Sequence, residues 1–278
     1  VKAPTNGLGL LVGTSSILLA GKTISADVRE AISDCSLRRT IEGASTLTLT
    51  VQDTSRKLLR SPIFASRATL GLDGLAFELV KIAKTGDRLA LTGEAQAVAS
   101  LRRQKGARSA AAGTTTRSEF AARLVGETPG VKFLGYTEPA KSRVALSRAA
   151  AEDTWTCLTR LASEVGWRCF DVNGTVMFGP DSWLLAQPLA GKIVENTGGI
   201  DMIDFDHDAG KPTQTLSVTC TTDAWSYPPG APVSVTGMGL VSGLKLVQQI
   251  ERSLFYTQAK ITLTSGQPVI PPAAPAKK

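Results

Sequence analysis

The densest chemistry in the sequence is the run Asp201-Met202-Ile203-Asp204-Phe205-Asp206-His207-Asp208, which gathers four carboxylates and the chain's single imidazole. Oxygen donors of this kind suit a divalent cation, and a carboxylate beside an imidazole suits proton transfer. The candidate metal ligands are Asp204, Asp206, His207 and Asp208. Against that chemistry, the stretch lacks the sixth-position glycine and the distal glutamate of an EF-hand loop. Alternation of Met202, Asp204 and Asp206 with Ile203 and Phe205 fits equally well an exposed edge strand guarded by charge, and that is the preferred reading. Neither reading implies catalysis.

Other reactive arrangements are missing. One histidine excludes HExxH zinc sites, and there is no GxSxG elbow to present a serine nucleophile. Gly237-Met238-Gly239 lacks the third glycine and following helix of a dinucleotide fingerprint, and no GxxxxGK[ST] phosphate loop occurs. Paired carboxylates for glycoside hydrolysis arise by chance among 24 acidic residues, so they are not diagnostic. Cys35, Cys157, Cys169 and Cys220 form no CxxC pair and read as small buried hydrophobes. Trp155, Trp167, Trp183 and Trp225 could form a carbohydrate platform, but Trp155 belongs to a helical stripe and Trp167 starts a strand, so core packing is the better reading. No catalytic residue and no cofactor are assigned.

Hydrophobic residues at 42% against charged residues at 20% place the chain among globular proteins able to bury a core. The net charge of +7 is scattered except for Arg102, Arg103, Lys105 and Arg108. These lie in a Gly-, Ser-, Ala- and Thr-rich stretch running to Thr116, which reads as a flexible, solvated crossover. No aromatics are interleaved with these cations, which argues against single-strand binding. Leu8 to Ala20 is broken by Gly9, Gly13 and Ser16, with only Lys2 ahead of it, so it is a poor secretory leader. No apolar run is long enough to span a bilayer, so no membrane anchor is expected.

The elements available to position any site are mainly strands. Leu47, Leu49 and Val51 alternate with Thr46, Thr48 and Thr50, the pattern of a half-buried strand. Ala68–Leu72 and Leu75–Ile82 flank Asp73-Gly74, a hairpin turn, and Thr85-Gly86-Asp87 leads into another strand from Arg88. Thr116 and Glu119 have capping-box spacing before the helical stripe of Phe120, Ala121, Leu124 and Val125. Trp155, Leu158, Leu161, Ala162 and Val165 make a second stripe, followed by a hairpin about Asn173-Gly174. The segment from Pro188 to Gly210 reads as irregular. Strands resume with Leu216, Val218 and Cys220, then Val233 and Val235 after the turn at Pro228-Pro229-Gly230, then Leu244–Ile250 and Tyr256–Leu263. The fold class expected is mainly β with an α+β insertion: small tube-like β-barrel domains plus a helix–hairpin domain. The expected divisions are an N-terminal β-barrel over 1–105, an α+β domain over 106–190, a C-terminal β-domain over 191–265 that completes a discontinuous barrel, and a Pro/Ala-rich extended tail over 266–278.

These motifs, in order, resemble the tail-hub family of long-tailed phages, which includes late control protein D and minor tail proteins of phages infecting Actinobacteria. The resemblance runs from about Asp27 to Pro272. It is carried by Ser45 to Asp53 with Arg56 and Leu58 to Ser61, by Leu72 to Val80, and by Glu152-Asp153-Thr154-Trp155 leading to Leu161 through Trp167. The Asn173-Gly174 hairpin, Pro228-Pro229-Gly230, Val233, Val235, Gly237, Gly239, Arg252 to Phe255 and Ile261 to Leu263 complete it. It implies a non-enzymatic, homotrimeric baseplate-hub ring at the virion's tail tip, made in the host cytoplasm. It also implies a channel for DNA and the tape measure protein, with transient DNA contact there, and contacts to the distal tail protein and to other tail-tip or fibre proteins. Relatives often carry a C-terminal peptidase, lysozyme or fibre domain, and such an activity would here sit on another chain. The rival readings are a cell-wall-degrading module and a receptor- or glycan-binding tail-tip module.

Overall fold

The computed structural model of this 278-residue chain describes residues 17–19, 22–23, 26–54, 56, 60, 67–197, 199–206, 214–221, 227–253 and 258–266. The expected features at Leu8–Ser16, Tyr256 and the Pro/Ala tail after Gly266 lie outside the described residues.

The N-terminal part is a meander. Short strands β1 (Ile17–Leu19) and β2 (Lys22–Thr23) precede a one-turn-and-a-half helix α1 (Ala26–Ala31). Next come β3 (Ile32–Thr40) and β4 (Thr46–Gln52), whose threonines face solvent while Leu47, Leu49 and Val51 are buried. A hairpin joins β5 (Thr69–Leu72) to β6 (Leu75–Thr85). Its two turn residues, Asp73 and Gly74, have φ of 49° and 81°, the positive values a tight two-residue hairpin turn requires. Strand β7 (Arg88–Ala95) returns between β4 and β6. Its Gly93 faces the core where a Cβ would stand 2.9 Å from the Phe77 Cβ, so the absent side chain makes room for Phe77 and Leu70.

The insertion follows. Helix α2 (Gln96–Arg103), strand β8 (Arg108–Ala110) and helix α3 (Arg117–Gly126) lead into β9 (Lys132–Gly135) and β10 (Leu146–Arg148). The capping box of α3 is present: the Thr116 hydroxyl accepts from the Glu119 N–H at 3.0 Å, and the Glu119 carboxylate accepts from the Thr116 N–H at 2.8 Å. Helix α4 (Thr154–Ser163) starts at an Asp153 cap and buries Trp155, Leu158, Leu161 and Ala162, while Val165 lies just past its end. Strands β11 (Arg168–Val172) and β12 (Thr175–Gly179) form the Asn173-Gly174 hairpin, β9 adds to β12 in parallel, and the short helix α5 (Asp181–Leu185) closes the unit. The core packed between α2, α3, α4 and this small sheet includes Val98, Phe120, Leu124, Leu158 and Phe178.

The stretch expected to be irregular from Pro188 to Gly210 instead holds two strands. Strand β13 (Gly191–Val194) pairs in parallel with a later strand, and β14 (Ile200–Asp206) begins an antiparallel run with β15 (Thr215–Thr221). The chain then forms β16 (Pro232–Thr236), a single 3₁₀ turn (Gly239–Val241), β17 (Gly243–Ser253) and β18 (Gln258–Thr264). Residues between Arg102 and Thr116, expected to be a flexible crossover, are likewise built in. Arg102 and Arg103 finish α2 and Arg108 starts β8, because Ala97, Val98 and Leu101 give this Ala-rich segment a buried helical face.

One sheet unites both ends of the chain, in the order β14-β15-β18-β17-β3-β4-β7-β6-β5-β1-β2, and curls into a half-barrel. The architecture is thus mainly β with an α+β insertion. No described helix is long and apolar enough to cross a membrane.

The insertion hangs on one buried cation. Arg148 is 1% exposed; its Nε donates to the Gly106 carbonyl at 2.7 Å, one Nη to the Thr154 hydroxyl and the other to Glu127 at 3.0 Å. Arg148→Met strips three acceptors of their donor at once. It is expected to lower unfolding free energy by about 3–5 kcal/mol in urea titrations, the usual cost of breaking a buried pair.

Candidate assembly surfaces

The eight strands from β14 to β6 are antiparallel at every step, and their register can be followed across the sheet. Met202, Thr219, Lys260, Glu251, Arg38, Thr46, Glu94 and Glu78 fall in one transverse row. The adjacent row, Ile203, Val218, Ile261, Ile250 and Arg39, belongs to the opposite face and is buried. A period of two therefore sorts the whole sheet into one polar and one apolar face. The apolar face supplies two clusters, one around Val218, Ile250 and Ile261 and the other around Leu37, Leu49 and Phe77.

The polar face is rich in hydroxyls, with Ser36, Thr48 and Thr92 aligned beside the first row. Its charges neutralise one another across strands. Arg38 donates to Gln249 at 2.7 and 3.1 Å, Gln249 donates to Glu251 at 2.8 Å, and Arg38 lies 3.9 Å from Glu251. An open groove of about 730 Å³ runs over this face, lined by Arg38, Thr46, Thr48, Thr219, Glu251 and Lys260. At the far end α2 lies over the face, with the Arg102 Nε shared between both Glu94 carboxylate oxygens at 3.0 Å and Arg103 paired with Glu78.

Both lateral ends of the eight strands leave apolar groups uncovered. Phe205 lies on the same face as buried Ile203 yet is 50% exposed, because β14 has no further strand beyond it among the described residues. Met202, 46% exposed, and Asp204 occupy the polar side of the same edge. Glu195 accepts the Ile203 N–H at 3.2 Å, so part of this edge's backbone is already satisfied from within the chain. At the other end, among the described residues, β5 pairs only with Leu75–Glu78 of β6. A bulge follows at Leu79/Lys81; Val80 within it is 53% exposed and Ile82 beyond it 38%.

The insertion docks at the β3–β4 turn through buried polar contacts. Asp171 accepts the Ser45 N–H at 2.8 Å, and Arg39 donates to Asn173 at 3.0 Å. A cavity of about 370 Å³ sits at this seam, bounded by Arg39, Phe77, Pro129, Asp171 and Asn173. Burial pushes the Asp171 carboxyl above its ordinary value; the Ser45 N–H and the Arg39 charge oppose the shift, and Glu94 adds to it. Burial likewise lowers Arg39, with Asp171 opposing.

Solved structures with this arrangement include tail proteins. The tail protein of Neisseria meningitidis superposes with a TM-score of 0.63 at 14% identity, over 90% of this chain and 96% of that one. The 43 kDa tail protein of prophage MuSo2 from Shewanella oneidensis gives 0.64 at 11%, over 90% and 95%. The chain has the phage tail-protein fold. A component of the Escherichia coli type VI secretion system, itself described as similar to the T4 tail proteins gp27 and gp5, matches at 0.59 with 15% identity, over 86% and 77%. No family model and no curated protein matches the sequence.

Within this tail-protein fold, residues 201–206 of the acidic run lie on β14, an edge strand among the described residues. Asp204 is exposed on β14; the Asp206 side chain, His207 and Asp208 lie outside the described residues. Among the described residues, no three His, Cys, Asp or Glu side chains are grouped to hold a metal ion. The basic cluster is spent on the protein itself: Arg102 and Arg103 as above, and Arg108 on Glu127, while Lys105 stays exposed. Trp155 is core, and half-buried Trp167 stacks edge-on between Tyr136 and Phe178 at 5.6 and 5.5 Å. Trp183 is half-buried against the cluster of Phe170 and Leu184, and Trp225 lies outside the described residues. All four thiols are free and buried, which raises Cys35 to about 12 and Cys157 and Cys220 to about 11. The sequence reading missed β3, Arg39 and Asp171, and with them the seam.

Replacing Arg38, Glu251 and Lys260 together by Ala is expected to change stability by less than about 1 kcal/mol, since exposed pairs contribute little; calorimetry decides. The seam behaves differently. With its folded pKa raised, Asp171 contributes most stability below the ordinary carboxylate pKa and loses it as pH rises through the raised one. Thermal melts of Asp171→Asn over acidic to neutral pH are expected to lack that component of the slope.

Proposed function

We propose that this chain is a structural subunit of a phage tail tip, a homotrimeric hub ring that joins the tail tube to distal tip proteins around the DNA and tape-measure channel. The observation that carries the reading is the eight-stranded polar face, hydroxyl-rich and internally charge-paired, backed by a continuous apolar core. Such a face suits a wall past which a polyanion must slide without sticking, because it offers no unbalanced row of cations to hold phosphates. The tail-protein fold of its neighbours supports the same placement.

Strand arithmetic favours three copies. Strands lie ~4.8 Å apart, so about twenty-four strands in a ring leave roughly 37 Å between opposing backbones, before tilt widens it and side chains narrow it. About sixteen strands, from two copies, leave roughly 24 Å between backbones, most of which side chains fill. Three is the smallest ring with a bore for double-stranded DNA. In this reading residues 1–105 and 191–265 build the wall, and residues 106–190 form an outer α+β unit that meets other tail proteins. Partners are its own copies, the tape measure protein, the distal tail protein and other tip or fibre proteins, and the ring's work needs no catalytic group.

Averaged electron micrographs of tail tips are expected to place this chain in a three-fold ring. A Thr48→Cys variant adds an accessible thiol to a chain whose own cysteines are buried. In the assembled ring that thiol is expected to react with a small maleimide and to be protected from one bearing a bulky polymer. Equal reaction with both reagents in ring and free chain would refute a channel-facing wall.

A further inference from the structure

Resting on the ring reading, we propose that copies join side to side through the acidic edge β14 of one and the basic second half of β6 of the next, which has no outer partner strand among the described residues. Four observations converge on this joint.

The first is topological. Because the run from β14 to β6 contains an even number of antiparallel strands, its two end strands point in opposite directions. A rotation about an axis along the ring preserves direction, so the β14 of a second copy meets β6 antiparallel, as every internal neighbour does. An odd count would set like directions side by side.

The second is the match of faces. On the core side, half-exposed Phe205 ends one sheet and Ile82, paired across to buried Leu91, ends the other. On the polar side, Asp204 ends one and Lys81, paired across to Thr92, ends the other. Antiparallel pairing with Asp204 opposite Lys81 sets Ile203 opposite Ile82 and Phe205 beside Val80 at the bulge, so carboxylate meets ammonium on the polar side and apolar groups meet on the core side.

The third is charge. Strand β14 carries Asp201, Asp204 and Asp206 and no cation, whereas β6 from Val80 onward with the start of β7 carries Lys81, Lys84 and Arg88 against Asp87. Complementary strips of this kind set register and suppress self-pairing of either edge with its own kind. Such pairing makes the contact heterologous, the type that closes into rings. The fourth is the Glu195 carboxylate on the Ile203 N–H, which already satisfies part of the β14 edge and shifts weight in this joint from ladder hydrogen bonds to side chains.

The test uses the full chain and native mass spectrometry at low and high salt, with micrographs of assembled tail tips. Asp204→Lys alone and Lys81→Asp alone are each expected to reduce the ring at least ~10-fold, and the double exchange to restore it to within ~3-fold, because every joint then carries the reversed pair. Circular dichroism unchanged from the parent shows that the exposed substitutions leave the fold intact. Asp204→Cys with Lys81→Cys is expected to give, with a short bis-maleimide, a covalent ladder ending at three. If rings persist in all the charge variants and no ladder forms, the joint is wrong while the ring stands. If the parent chain forms no ring even in assembled tail tips, the ring reading falls and the joint with it.

Discussion

The pairing of β17 with β3 joins residues about two hundred positions apart in the chain, from Gln249 against Thr40 to Ser253 against Ser36. It merges what would be two small β-domains into one sheet, and everything else depends on its register. A slip of one residue would turn Glu251 toward the core and Ile250 toward solvent while Arg38 stayed in place, exchanging the two faces over half the molecule. Such a slip is opposed on both sides at once: Arg38 is held by Gln249 and Glu251, and Ile250 is fully buried against Val218 and Ile261. Closing so long a loop carries a conformational-entropy cost that grows only slowly with its length, and here the insertion between the two strands has a core of its own.

Two ways of treating charge divide the molecule. On the open polar face, ion pairs are shallow and hydrated, so they define chemistry more than stability. In and around the insertion, charges are buried and fully committed: Arg148 to Glu127, Gly106 and Thr154, Arg168 to Asp181, and Arg39 toward Asn173 and Asp171. Removing one partner from such a set leaves the other stranded in a poorly solvating environment. The wall can therefore vary in sequence at small cost, whereas the seam that orients the insertion cannot.

What was legible in the sequence was local. The alternation of Thr46–Gln52, the Asp73-Gly74 and Asn173-Gly174 turns, the Thr116/Glu119 capping box and the stripe on α4 each announce themselves within a dozen residues, and all are present. Strand β3 was not legible, although it is central. Its core face reads Cys35, Leu37, Arg39, and an arginine in a core position breaks the alternation; only the insertion, remote in sequence, supplies the groups that permit it. Strand β13 is four residues long and stabilised by a parallel neighbour, which leaves no period to detect. Helix α2 was hidden by its composition, since Ala, Ser and Arg describe a linker as well as a short helix with one buried side. The acidic run drew attention as chemistry because carboxylates close in sequence look like ligands. In a strand, residues two apart share a face but stand roughly 7 Å apart, so carboxylates at alternate positions line up along the edge instead of converging on one point.

In the proposed joint, that spacing lets a strand rich in carboxylates present its charge along an edge. Asp204 faces the polar side and Phe205 the core side of the same edge, so β14 presents charge and grease to a neighbour in two parallel lines. The second half of β6 presents the same two lines with the opposite sign of charge, Lys81 on one face and Ile82 on the other. An edge that was merely apolar would pair with any sheet, itself included, and one that was merely charged would repel its own kind without choosing a partner. Carrying both, in matching order, makes the wrong pairings costly and leaves one arrangement in which the apolar groups are covered and the charges meet. In the proposed ring, that selectivity matters more than the strength of any single contact.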